Sequence, residues 1–201
     1  MSASDPKTLR ELRRAQIVAA ARSLVGEGGL EALTFGALEK RLEFSRGVIT
    51  YHFANKDEIV EAVLRSAVAE IDAATTQRIK ASAGFEEKVH AMLAGTVEGF
   101  IGCREAAQIL VAFWGRIPND PRATKLNAEL YAGYRAAALE LLTTAKKKGL
   151  LAKGLKLEPM AAAFVAMVLG TVMQVYFEPE AIDAERVIHE AAAAFISRLS
   201  A

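Results

Sequence analysis

A single cysteine, Cys103, leaves no disulfide partner within the chain, which suits a reducing compartment. The three histidines, His52, His90 and His189, stand far apart in sequence. None has a second ligand at metal spacing, so no metal site is expected. Gly-x-Ser-x-Gly, His-Glu-x-x-His, Gly-x-Gly-x-x-Gly and Gly-x-x-x-x-Gly-Lys are all missing. No catalytic residue and no cofactor are therefore expected. Excess charge is also lacking. The formal net charge is +1, and the first 60 residues hold nine Lys and Arg against eight Asp and Glu. A protein held to nucleic acid by bulk charge alone would be far more basic. The opening MSASDPKTLRELRRAQ has no apolar core, so it does not read as a signal peptide, and a cytoplasmic location is expected. Alternation with a period of two is absent over any length, which argues against strands.

What is present is helical. Hydrophobic residues make up 52% and charged residues 24% of the 201-residue chain, enough for one or two small domains with a proper core. Residues 1–6 read as a disordered start. An amphipathic helix follows from about Lys7 to Val25, with Leu9, Leu12, Ile17, Ala20, Ala21 and Leu24 on its apolar stripe. Arg10, Arg13 and Arg14 lie off that stripe. Gly26, Gly28 and Gly29 end the helix. Further helices are expected near 55–82, 85–102, 105–116, 122–148, 159–177 and 184–199. Their breaks fall at Ala83-Gly84, Pro118-Asn119-Asp120-Pro121, Gly149 and Glu178-Pro179. Asn55 to Glu58 reads as a capping box. Lys146, Lys147 and Lys148 complement the negative end of a helix that Gly149 terminates. Met160 to Phe177 is an uncharged run of eighteen residues. Its alanines, Gly170, Thr171 and Gln174 favour a buried helix over a membrane span.

The stretch TFGALEKRLEFSRGVITYHFANK, Thr34 to Lys56, carries the most information. Thr34 caps a helix over about Phe35–Leu42, with Leu38 and Leu42 on one face. Ser45 opens a second helix. Ile49 and Phe53 can face inward, which turns Gly47, Thr50 and Tyr51 outward with Arg46 and Val48 at the edges. A short helix with a small, polar, basic outer face packs poorly and suits the DNA major groove. Arg46 can donate two hydrogen bonds to guanine, and Thr50 or Val48 can meet a thymine methyl. Gly47 removes a side chain where the helix lies close to DNA. Lys56, in the first turn of a helix, sits beside free backbone amides and makes a natural phosphate seat.

These residues, FSRGVITYHFANK above all, resemble the helix-turn-helix signature of the TetR family of bacterial transcriptional regulators. The detailed likeness covers about Leu12 to Val63; beyond it only length and helical pattern agree. The resemblance implies an all-α fold of about nine helices. Residues 1–54 would form a three-helix DNA-binding domain, and residues 55–201 a helical effector-binding and dimerisation domain. It implies DNA contacts from Thr34, Ser45, Arg46, Gly47, Val48, Thr50, Tyr51, His52 and Lys56, with Tyr51 and His52 at phosphate positions. It also implies a homodimer on a near-palindromic operator, joined through the last two helices (about 159–177 and 184–199), and release by a small effector. The candidate effector pocket takes in Phe100, Cys103, Phe113, Trp114, Tyr131, Tyr134, Met167 and Gln174. Phe113-Trp114 and the Tyr131–Tyr134 pair look similar to the choline-responsive betaine-synthesis regulators, whose cationic ligand aromatic faces can hold. Two departures stand out. Glu43 occupies a turn position where the family pattern has Gly, and Gly36 offers no side chain where some relatives reach DNA. A helical dimer that has lost DNA binding and a small enzyme without a recognisable motif are the competing readings.

Overall fold

The computed structural model describes residues 8–200; the expected disordered start and the first helical residue, Lys7, lie outside that span. Among the described residues there are nine α-helices and no strand. They are α1 (Leu9–Ala32), α2 (Phe35–Leu42), α3 (Arg46–His52), α4 (Lys56–Ala81), α5 (Phe85–Gly102), α6 (Arg104–Trp114), α7 (Pro121–Lys147), α8 (Leu157–Phe177) and α9 (Ala184–Ser200). A short 3-10 turn, Ile117–Asn119, fills the proline-flanked break before α7.

The helix ends follow capping chemistry. Thr8 and Glu11 close a capping box on α1. Asp120 accepts from the Arg122 and Ala123 amides, and Pro121 opens α7 where its missing N–H costs nothing. Glu87 reaches back to the Ala83 and Gly84 amides, which hold its carboxyl below the usual range. Asn55 accepts from the Glu58 amide as expected, but the Glu58 carboxylate goes to Ala54 N–H, one residue earlier than a standard box. Helix α1 does not stop at Gly26. Its backbone leaves helical geometry only at Gly28 and Gly29, where Gly29 has φ 69°, and one more turn follows.

The chain divides into two compact units. One gathers the described residues up to Ala69 with Glu105–Pro118. Ile17, Ala21, Leu33, Leu38, Ile49, Phe53 and Val63 are fully buried within it. Arg22 ties its helices together, donating to Glu105 at 3.0 Å and to Ser66 at 3.1 Å. Leu9 and Leu12 were expected on the buried stripe, but they are 72% and 47% exposed. Burial of that stripe begins at Ile17; the first two turns of α1 give their off-stripe arginines, not their leucines, to the neighbouring helices.

The other unit holds Glu70–Arg104 and the residues from Asn119 onward. Its core clusters Val89, Leu142, Phe164, Phe195 and Leu199, with the Phe164 and Phe195 ring centroids 4.8 Å apart. Helices α4 and α5 approach unusually closely here. A Cβ added at Gly95 would lie 2.5 Å from Thr75 Cα, and one at Gly99 would lie 2.3 Å from the Ile71 carbonyl oxygen. Only residues without a side chain fit that crossing.

Candidate nucleic-acid interface

The candidate interface is built on α2, a turn and α3. Thr34 Oγ1 accepts from the Ala37 amide at 3.1 Å, which fixes the start of α2, and Leu38 anchors that helix with no exposure. The turn passes through Glu43 at φ 54°, ψ 28°, the left-handed conformation in which Gly would be strain-free. The left-handed turn that glycine would suit is thus formed here with a glutamate. Ser45 occupies the N-cap position of α3 in extended geometry, with no hydrogen bond from its side chain to the helix.

Helix α3 is anchored by Ile49, and Phe53 follows it as C-cap; both are fully buried. Arg46, Gly47, Val48, Thr50 and Tyr51 are exposed, while His52 and Lys56 are half-buried. Val48 is 39% and Tyr51 71% exposed, large values for an apolar and an aromatic residue in a folded unit. A Cβ at Gly47 would meet nothing nearer than Ser45 Oγ at 3.9 Å, and one at Gly36 would meet nothing within 4 Å. The outer face is thus open, not walled off. Thr50 differs in one respect from the sequence reading. Its hydroxyl donates back to the Arg46 carbonyl at 3.0 Å and approaches the Gly47 carbonyl at 3.3 Å. That engages its one O–H donor with the helix backbone and leaves the hydroxyl oxygen as an acceptor.

Sequence reasoning missed what the α1 arginines do. Arg14 donates to the His52 carbonyl at 2.8 Å, satisfying the C-terminal end of α3, and its guanidinium lies 4.0 Å from the Phe53 ring centroid. Arg13 covers Phe44 at 4.6 Å and Arg10 covers Tyr51 at 5.9 Å. Arg46 covers Phe35 at 5.1 Å. No carboxylate pairs with these four among the described residues. Arg41, by contrast, is spent. It makes two 2.7 Å bonds to Glu27, and that hydrogen-bonded guanidinium draws the Glu27 carboxyl down to about 2. A near-neutral chain therefore still carries local positive charge beside α3. The i, i+3, i+4 spacing of Arg10, Arg13 and Arg14 was the available signal.

The candidate effector residues do not all fall in one unit. Phe113 (buried) and Trp114 (half-buried) belong with the N-terminal unit. Phe100, Cys103, Tyr131, Tyr134, Met167 and Gln174 belong to the other. There Phe100 is buried and meets Tyr176 edge to face at 6.0 Å, Cys103 is half-buried at the end of α5, and Gln174 is exposed. Tyr131, Tyr134 and Met167 pack half-buried against the core cluster. A residue the sequence did not single out joins the tyrosines. Tyr134 hydroxyl donates to Asp72 Oδ2 at 3.5 Å, and Tyr131 lies edge to face with Tyr134 at 6.3 Å. Burial pushes the Asp72 carboxyl up to about 6, while the same burial, with the nearby carboxylate, raises Tyr134. His90 and His189, isolated in sequence, both line a groove of about 700 Å³ with Arg78. No cluster of three metal-binding side chains forms among the described residues.

Family models match the chain in two places. Residues 17–63 match the bacterial regulatory proteins of the tetR family, and residues 85–201 match the C-terminal domain of BetI-type transcriptional repressors. The HTH-type transcriptional regulator BetI of Burkholderia cenocepacia is 28% identical over 119 residues, 59% of this chain and 61% of that protein. The alignment thus spans less than two thirds of that relative's length. Among solved structures, a TetR-family regulator from Rhodococcus sp. superposes with a TM-score of 0.77 at 17% identity, covering 94% of this chain and 98% of its own. A regulator from Saccharomonospora viridis in complex with choline superposes with a TM-score of 0.72 at 18% identity, covering 92% and 95%.

Proposed function

The chain belongs to the TetR family of bacterial transcriptional regulators, and from that premise we propose that it is a cytoplasmic, effector-released repressor that reads a near-palindromic operator as a homodimer. The observation that carries this reading is the open outer face of α3, held by fully buried Ile49 and Phe53 on its inner side. In this reading residues 1–54 read the DNA, and residues 55–201 bind the effector and the second copy. Helix α3 enters the major groove. Arg46 reads guanine by its two-pronged donor edge, and Val48 and the Thr50 methyl contact bases. Gly47 permits close approach. Thr34, Ser45, Tyr51, His52 and Lys56 position the backbone through phosphates. Arg10 and Arg13, which pair with no carboxylate among the described residues, add positive charge.

The dimer reading is supported by α8. Its most apolar window is only 28% buried within one chain. Ala162, Ala166, Gly170 and Phe177 are exposed along it, and a second copy's α8 and α9 would cover them as a four-helix bundle. For the effector, the Asp72 carboxylate with the Tyr131 and Tyr134 rings suits a small organic cation, which aromatic faces and a carboxylate hold together. The choline in the Saccharomonospora viridis neighbour supports that class. The effector acts by preferring the state whose recognition-helix spacing does not match the operator.

The test is selection of duplexes from a genomic-fragment pool, followed by salt titration of the selected operator. Specific binding should fall about a thousandfold or more between 50 and 200 mM salt. Lys56→Ala should weaken binding to all duplexes alike, and Arg46→Ala should also relax preference at one base position. Failure to select any duplex would overturn the regulator reading.

A further inference from the structure

Arginine–aromatic contacts are concentrated in one place. Four such contacts lie between Arg10 and Phe53, against roughly one energetically significant case per 70–80 residues in ordinary structures. They are not alike. The Arg14 guanidinium is committed to the His52 carbonyl and that of Arg13 to Gln16 at 3.2 Å, so both brace the fold. Arg10 stands at the outer limit of the interaction, 5.9 Å from the Tyr51 ring. Arg46 is exposed like Arg10 and Arg14, but it alone of the four belongs to α3, as its first residue, and its guanidinium lies 5.1 Å from the Phe35 ring centroid. Among the described residues that guanidinium donates no hydrogen bond and pairs with no carboxylate.

The chemistry of the two groups makes this combination useful. A ring engages the flat face of a guanidinium, whereas all five N–H donors point outward in its plane. Contact with the ring therefore restrains the side chain without using up any of its N–H donors. Phe35 is itself a firm platform. It begins α2 directly after the Thr34 cap and sits half-buried, with Leu38 anchored one turn later. We propose that Phe35 is a specificity-positioning residue, whose ring restrains the Arg46 guanidinium while its N–H donors stay free, so that α3 discriminates guanine at one operator position. Phe35 touches no base in this account and acts through Arg46. The proposal rests on the regulator reading above and adds to it a determinant outside the recognition helix.

The experiment uses the full-length protein and the duplex that wild type selects from a random-sequence pool. Affinities are measured for that duplex and for its variants carrying each base at each position. Arg46→Ala identifies the position that Arg46 reads. Phe35→Ala should lose about three- to tenfold of the discrimination at that same position. Its affinity for non-specific DNA and its salt slope should be unchanged, because the number of phosphate contacts is unchanged. Phe35→Leu fills much of the same space without a π face and should behave like Phe35→Ala, whereas Phe35→Tyr should retain discrimination. The double variant Phe35→Ala/Arg46→Ala should discriminate no worse than Arg46→Ala alone. Full discrimination by Phe35→Leu overturns the proposal, as does a uniform loss for all duplexes accompanied by a lower Tm. A wild type that selects no duplex overturns the regulator reading first, and the two failures are thereby distinct.

Discussion

Glu43 is the residue at which local preference and fold disagree most plainly. It is held at φ 54°, ψ 28°, where a Cβ crowds the following carbonyl. The fold tolerates it because Leu38 on one side of the turn and Ile49 on the other are fully buried and dictate the path between them. Glu43→Gly should therefore raise stability by up to about 1 kcal/mol in urea unfolding, since Gly adopts this conformation without steric cost. Operator affinity should hardly change. The sequence was sufficient to flag this position, because glutamate stands where the family pattern it resembles has Gly. It was not sufficient for Arg14, whose partners lie 38 or more residues away in sequence and come together only when α1 packs on α3.

At the scale of elements, the helix boundaries were largely legible. Capping residues and breakers act within a turn or two, so Phe35–Leu42 and Phe85–Gly102 are found where the residues place them. How helices approach one another was not legible. Gly95 and Gly99 look like ordinary mid-helix glycines, yet they admit α4 to backbone contact. Gly99→Ala should cost about 1–3 kcal/mol or more in chemical unfolding, because the added methyl meets carbonyl oxygen and not a movable side chain. Asp72, on the same α4, is a second element-scale feature. Burial raises its carboxyl from 3.8 to about 6. Between those pH values the folded protein keeps a proton that the unfolded chain has released. Stability from this group is therefore greatest below about pH 4, falls as pH rises to 6, and stays low above. At about 1.4 kcal/mol per unit, the total is on the order of 2–3 kcal/mol. Asp72→Asn should flatten that dependence and raise the urea midpoint at pH 7.5, while weakening the response to a cationic effector.

At the scale of the whole molecule, the question is what covers α8. In the proposed dimer a second copy covers this apolar, partly buried helix, and its small residues let the other backbone come near. Ala166→Glu places a charge on an exposed position of that stripe, so the single chain should fold with unchanged helicity. Sedimentation should then show a monomer, and operator affinity should fall by about a hundredfold or more, because one half-site no longer assists the other. The sequence by itself determined the helical class, most helix ends and which face of α3 turns outward, because periodicity and capping are local. Tertiary structure alone decided which arginines pair with no carboxylate among the described residues, which glycines are indispensable, and that Asp72 is largely withdrawn from water beside Tyr134. Charge pairing, close approach and desolvation depend on residues that are remote in the chain and adjacent only in the folded molecule.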